Sequence, residues 1–281
     1  MNEAEDREGR EDEGTRELPP PVETFIQRLY RDPRYLLVGK MERFGRELIA
    51  FVEGCTILSA TGDVKGQALI NNEYRFGGRP DGERPYGHES LLDHYLSDRR
   101  DEEMSLDDEE LAALRDESWQ YYVRRNFAFL LGRFAQARDD AEHNLGIWNV
   151  IEQSSASDAA RWSMAKWWPW IERDRAVAQA LWHLQHRESE EAATELYRAR
   201  RSIDQFGERY TEEYAREEEG GEAFCAQMRQ HIETLVELLR EQKQIPVSLE
   251  EQLDEAAARG DAAQVERLRA EMIRRAVGED E

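Results

Sequence analysis

Cysteine, long apolar runs and basic residues are what this chain has least of, and each shortage excludes something. Only two cysteines, Cys55 and Cys225, occur in 281 residues, far apart and without a Cys-x-x-Cys pair. That rules out a disulfide framework or a zinc ribbon as the organising principle. No apolar stretch approaches the length of a membrane span, and the opening residues lack the basic-then-apolar pattern of a secretory leader. The expectation is a cytoplasmic protein with no membrane partner. Lysine and arginine together number 38 against 61 aspartates and glutamates, a formal net charge of −23. A surface this negative repels phosphate backbones, so direct nucleic-acid binding is not expected, and it favours solubility and basic partners.

Catalytic signatures are also missing. There is no Gly-x-Ser-x-Gly, His-Glu-x-x-His, Gly-x-Gly-x-x-Gly or phosphate-binding loop. The six histidines (His88, His94, His143, His183, His186, His231) are scattered. His183 and His186 share a helix face at metal-ligand spacing but lack a third ligand, so a solvated surface explains them. No catalytic residue, metal site or cofactor is expected, and the chain is read as a non-enzyme.

What the chain does have is helical periodicity. Residues 1–21 form an acidic, solvated tail ending at Pro19-Pro20-Pro21. Residues 22–98 read as a small mixed α/β region, with a helical turn at Phe25–Tyr30 and strands over 47–60 and 67–76 joined by Thr61–Gly66. The Gly/Pro-rich loop Gly77–Gly87 follows and leads into a helix near His88–His94. It reads either as a turn-rich connector or as a recognition loop offering Arg79, Asp81 and Arg84. From 105 to 207 the pattern is helical, opened by a cap at Ser105 with Asp108. Residues 208–221 are charged and end in a hinge at Gly220-Gly221. A linker helix over 222–244, with Phe224, Met228, Ile232, Leu235, Leu238 and Leu239 along one side, ends at Pro246.

Residues 248–277 carry the most specific signal. Ser248 with Glu251 is a capping box, and Asp261 with Gln264 repeats it beyond Gly260. Leu249, Leu253 and Ala256/Ala257 fall at helical spacing on a first arm, and Val265, Leu268, Met272 and Ile273 on a second. So few apolar side chains cannot offset the entropy of ordering the segment alone, so its seam needs a cover. Its own helical body, a second copy or a partner's hairpin would serve.

This hairpin resembles the UVR motif, the helical pair shared by the UvrB and UvrC repair proteins and several stress regulators. Leu249 and Leu253 match its first arm, Gly260-Asp261 its turn, and Val265 to Met272 its second arm, with departures at Ala262, Ala263 and Ala270. The Gly-Arg-Pro-Asp-Gly run at 78–82 is similar to a segment of UVR-containing bacterial proteins. The resemblance implies a bacterial interaction protein whose hairpin pairs with a like hairpin, in a homodimer or on a UvrB/UvrC-like or Clp-associated partner. Docking would then run through Leu249, Leu253, Ala257, Val265, Leu268, Arg269 and Met272.

The middle of the chain resembles tetratricopeptide (TPR) hairpins. Leu131-Gly132-x-Phe134 marks a turn, with Ala137 and Ala141 on the second helix. A weaker copy runs from Ala178 through Ala192, Leu196, Ala199 and Ile203, with Arg187 in place of the turn glycine. Ala137 and Ala192 lie 55 residues apart, against about 34 in regular repeats. The extra length holds Trp162, Trp167, Trp168 and Trp170, flanked by Trp148 and Trp182. Core packing is the plain reading of these tryptophans; a stacking box for a small molecule is the sharper one. The expected fold is mainly α: an irregular TPR-like body, a small N-terminal α+β region and a C-terminal two-helix UVR-type hairpin. The expected function is an adaptor, with an acidic decoy of a nucleic-acid-binding surface and a small-molecule binder as alternatives.

Overall fold

The computed structural model describes residues 17–43, 46–58, 64–98, 105–154, 157–216 and 221–277. Eleven α-helices and a three-stranded sheet occur among them. In chain order they are α1 (Pro20–Tyr30), β1 (Tyr35–Arg43), β2 (Arg46–Leu58), β3 (Val64–Arg75), α2 (Leu91–Asp98), α3 (Asp108–Leu130), α4 (Phe134–Gln153), α5 (Asp158–Ala165), α6 (Trp168–Gln185), α7 (Ser189–Arg209), α8 (Thr211–Ala215), α9 (Gly221–Glu241), α10 (Leu249–Ala258) and α11 (Ala262–Val277). The architecture is mainly helical with a small N-terminal sheet.

Two antiparallel helical hairpins, α3–α4 and α6–α7, form the centre. Small residues bring them together: Ala128, Ala137, Ala141, Ala176, Ala180, Ala192 and Ala199 are all fully buried. An alanine at the crossing lets backbones approach, so that Phe129, Phe134, Leu181, Leu196 and Ile203 fill the remaining space. The helix over 222–244, expected as a linker, is a core element. Met228, Ile232, Leu235 and Leu239 of α9 are buried in the same cluster.

The helix ends share one device. Gly132, Arg187, Lys243 and Gly260 all adopt positive φ, between 53° and 71°. In each case the following N–H reaches back to the carbonyl five residues earlier: Arg133 to Ala128, Glu188 to His183, Gln244 to Leu239 and Asp261 to Ala256. This is the Schellman termination. It corrects the expectation that Pro246 stops α9, because the chain has already turned at Lys243. At Arg187 the left-handed geometry expected of a turn glycine is held by a residue that disfavours it.

Three further expectations shift, at the N-terminal end, at the start of α3 and before α9. Helix α1 begins at Pro20, inside the segment assigned to the tail, since proline suits the first helical positions, where no N–H is needed. Its residues Val22, Ile26 and Tyr30 join the main core. Residues 1–16 lie outside the described residues, as do 59–63 of the expected strand end and loop. The cap of α3 is Asp107 with Glu110, not Ser105 with Asp108; Asp107 Oδ1 accepts from Glu110 N at 2.8 Å and Glu110 Oε2 from Asp107 N at 2.9 Å. The hinge expected at Gly220-Gly221 falls partly outside the described residues, and Gly221 opens α9.

The sheet is antiparallel in the order β1-β2-β3. Its first strand was not expected from the sequence. One face packs on α3, where Tyr35, Ile49, Phe51 and Phe76 meet Val123 and Phe127. Helix α2 packs against α3 and α4 through Leu91, Leu92 and Tyr95.

Candidate functional site

Each arm of the C-terminal hairpin opens on its expected cap residue, but the return side-chain bond that would complete a capping box is not seen at either among the described residues, and Glu251 turns to Arg240. Ser248 Oγ accepts from Glu251 N at 3.2 Å, and Asp261 Oδ1 from Gln264 N at 3.0 Å. Gly260, at φ 71°, makes the turn. Of the seven docking residues, Leu268 is buried; Leu249, Leu253, Val265 and Met272 are half-buried; Ala257 and Arg269 are exposed. The fully buried alanine is Ala256, which continues the steps of four and three from Leu249 and Leu253, while Ala257 faces solvent. Ile273, grouped with the seam by spacing, is 65% exposed, as is Val277.

Helix α10 rests on α7 of the same chain, and the contact includes two ion pairs and a tyrosine–carboxylate hydrogen bond. Tyr197 Oη donates to Asp254 Oδ2 at 2.5 Å, Arg198 Nη2 lies 2.5 Å from Glu250 Oε1, and Arg201 Nη1 lies 2.9 Å from Asp254 Oδ2. Arg240 of α9 pairs with Glu251, and Arg275 of α11 pairs with Glu190 of α7. Burial, reinforced by the Asp254 carboxylate, pushes the Tyr197 hydroxyl up to about 12, so it remains a donor at neutral pH. Beside the start of α10, a gap of about 10 Å³ has room for about one water; apolar Ala193, Leu196, Ile232, Val236 and Ile245 line it together with Tyr197, Arg200, Glu233, Arg240 and Glu251. The hairpin is thus seated on its own body, with its second arm outermost.

The Gly/Pro-rich loop is bolted down. Arg79 is mostly buried, its Nε 3.1 Å from Asp81 Oδ2 and its Nη1 3.6 Å from Glu117 Oε2. Asp81 also accepts from Gln120 Nε2 at 2.9 Å and from Glu83 N at 2.9 Å. Arg124 Nη1 donates to Arg75 O at 2.8 Å and Gly78 O at 2.7 Å. Gly82, at φ 77°, lies against the Arg75 side chain so closely that a Cβ would come within 2.0 Å of it. Arg84 is well exposed and pairs with Glu89, and Asp81, though hydrogen-bonded, is exposed as well. These contacts support the connector reading of this loop.

Sequence reasoning missed a buried ionic layer, because most of its partners come from different helices; Arg173 and Asp174 alone are neighbours on α6. Glu117, fully buried, accepts from Leu91 N (2.8 Å) and Leu92 N (3.2 Å), capping α2 from α3, and contacts His143 Nε2 at 2.9 Å. Burial pushes its pKa up, but the hydrogen bonds from His143 and the two backbone N–H groups outweigh it and hold the carboxyl below its usual range. Arg124 and Asp140 form a bidentate pair, with Nη2–Oδ1 at 2.6 Å and Nε–Oδ2 at 3.0 Å. Asp174 accepts from Tyr30 Oη at 2.8 Å and from Arg173 Nε at 2.9 Å. Arg125 Nε lies 2.9 Å from its other oxygen, as an ion pair and not an aligned hydrogen bond. Arg173 Nη1 continues to His231 Nδ1 at 2.9 Å. Burial and the Arg173 guanidinium hold the His231 imidazole down at about 4, hence neutral at pH 7. Every carboxylate in this layer is held by an arginine, a histidine or backbone N–H groups, so the layer orients helices and offers no free base or nucleophile.

The tryptophans are interleaved with neighbouring aromatics. Trp168 stacks on Phe206 (4.6 Å, 8°) and Trp162 meets Tyr214 edge-on at 4.9 Å. His183 binds Gln179 and Glu188 while His186 turns to the Trp182 carbonyl, so the pair does not converge. No group of three metal-ligating side chains occurs among the described residues, nor is any helix among them long and apolar enough to cross a membrane. Compared with models of protein families, curated proteins and solved structures, the chain matches none.

Proposed function

We propose that this chain is a non-enzymatic adaptor that docks on a protein partner through a C-terminal UVR-type hairpin, with the irregular TPR-like body as its platform. The observation that carries the reading is the exposed apolar flank of α11: Ile273 and Val277 face solvent at 65% each, beside the half-buried Met272. A capped helix whose outer edge stays apolar is suited to burying that edge against another helix pair. Charge adds direction. Helix α10 carries Glu250, Glu251, Asp254 and Glu255 with no basic residue, whereas α11 carries Arg267, Arg269, Arg274 and Arg275 against Glu266 and Glu271. Because Glu250, Glu251 and Asp254 are already paired with Arg198, Arg240 and Arg201 of the body, the arginine-bearing outer arm α11 is the side that a partner's acidic arm would meet.

The test is affinity capture from the native cell with the full chain as bait. Proteins bearing a capped two-helix hairpin should be retained by wild type and lost with Ile273→Asp, which sits on the outer flank and disturbs no buried contact. Equal capture by both baits would overturn the reading.

A further inference from the structure

We propose that the C-terminal hairpin exchanges between two copies of this chain, so that α10 of each copy seats on α7 of the other in a reciprocal dimer. The inference concerns the inner face of the hairpin. It stands or falls apart from docking through the outer flank of α11.

A short hinge separates the hairpin from the body. Helix α9 ends at Glu241, and residues 242–244, none of them buried, make the turn that closes it. Lys243 N donates to Arg240 O at 2.9 Å and Gln244 N to Leu239 O at 2.8 Å. To make this turn Lys243 holds φ 53°, a left-handed conformation disfavoured for any residue with a Cβ. At the ends of α3 and α10 the same turn is made by Gly132 and Gly260, without that cost. Of the described residues beyond the hinge only Ile245 enters the main core cluster; Ala256 and Leu268, buried in the hairpin, lie outside it. A short hinge under strain invites exchange. Opening relieves Lys243, while every contact from Ile245 onward is remade on the other copy.

The seat itself shows what fits it. In a chain of net charge −23, Arg198, Arg200 and Arg201 of α7 and Arg240 of α9 gather beside α10. Arg198 holds Glu250, Arg201 holds Asp254 and Arg240 holds Glu251, while Tyr197 donates to Asp254. An acidic helix with this spacing of carboxylates satisfies the seat, and a second copy brings an identical one. The contact is open to exchange, because the Arg198 and Arg201 side chains remain 57% and 50% exposed. Arg275 and Glu190, paired here within one chain, would join the two copies in the same way.

The experiment is sedimentation equilibrium of the full chain. The wild type should populate a monomer–dimer equilibrium at about 0.1 mM. Lys243→Gly accepts the closed turn without strain and should weaken the dimer about fivefold or more, since each dimer opens two hinges. Lys243→Pro cannot reach positive φ and should strengthen it about tenfold or more. Two charge-reversed chains test the seat. Arg198→Glu/Arg201→Glu and Glu250→Arg/Asp254→Arg each set like charges between α10 and α7, within one chain and between identical copies. Mixed, each α10 finds an opposite seat on the other chain, and the one-to-one dimer should be about tenfold tighter than either chain forms alone. Circular dichroism checks folding; the mixture leaves the hinge intact and decides the matter should Lys243→Pro unfold.

A wild-type chain wholly monomeric at about 0.1 mM overturns the inference. So does a dimer indifferent to Lys243, or a mixture no tighter than its parts. Ile273→Asp should leave the exchange intact while abolishing partner capture; loss of the dimer there would place the contact on the outer flank and overturn the exchange.

Discussion

Replacing Asp174 by asparagine is the sharpest probe of what holds the helices together. Asp174 is fully buried, and Arg173 and Arg125 beside it are 2% and 1% exposed. The carboxylate is the direct counter-charge to both guanidiniums and accepts the Tyr30 hydroxyl from α1. Asparagine keeps the shape and one acceptor but removes the charge. Two arginines then stay buried in excess of their counter-ions, which costs about 3–5 kcal/mol when a buried pair is broken from one side. For a domain of this size each kcal/mol moves the melting temperature by roughly 2–4 °C, so a fall of roughly 10 °C is expected. Urea and thermal denaturation followed by circular dichroism measure it. Tyr30→Phe removes a single hydrogen bond to the same carboxylate and should cost about 1.5 kcal/mol. Arg125→Met should cost less in the asparagine background than in wild type, because its counter-charge is already gone. If Asp174→Asn costs under about 1 kcal/mol, the carboxylate is not the keystone of this layer and the reasoning fails.

Arg187→Gly and Lys243→Gly should each stabilise the chain by about 0.5–1 kcal/mol, since both residues sit at positive φ where a Cβ is disfavoured; a lower midpoint in urea would refute the Schellman assignment. His231 is held neutral at about 4 in the fold, below its unfolded value near 6.5. The unfolded chain therefore binds the extra proton between those values, and stability contributed here is complete above about pH 6.5 and lost as pH falls toward 4. His231→Gln should flatten the stability–pH profile within that window and leave it unchanged above pH 7. Glu117→Gln should detach the start of α2, read as faster amide hydrogen exchange over Leu91–Tyr95 while α6 and α7 keep their protection.

Local signals in the sequence were legible and tertiary ones were not. The hairpin at 248–277 could be read because its caps, turn glycine and apolar spacing all lie within a few residues of one another. The same holds for the Gly132 turn and for the α9 stripe, though whether α9 was linker or core depended on where α6 and α7 lay. Strand β1 was hidden because Tyr35–Val38 is a short unbroken run and Gly39-Lys40 interrupts any alternation. Its partner β2 supplies the pairing that the run itself does not announce. The ionic layer was invisible for a different reason. In a chain with 61 acidic residues, nothing local distinguishes Glu117, Asp140 and Asp174 from the solvated majority. Arg173 apart, which adjoins Asp174, the charged or hydroxyl partners that hold them lie 16 to 144 positions away along the chain.

The two kinds of contact in this molecule divide it by stability. Helices α4, α6, α7 and α9 meet through fully buried alanines, leucines and isoleucines, a contact that salt does not weaken. Helix α10 meets α7 through ion pairs whose side chains are up to 57% exposed, alongside the buried Ala256. Pairs of that kind contribute about 0–1 kcal/mol each and are screened within a Debye length of about 8 Å at physiological ionic strength. The hairpin should therefore lift from the body well below global unfolding, and more readily as salt rises. Hydrogen exchange at low and high salt separates the two layers: protection over α10 and α11 should fall with added salt while protection over α6 and α7 holds. Salt-independent protection of α10 would mean that Ala256 and Leu268 anchor the hairpin to the body. Its apolar seam would then be committed within the chain and not available to a partner.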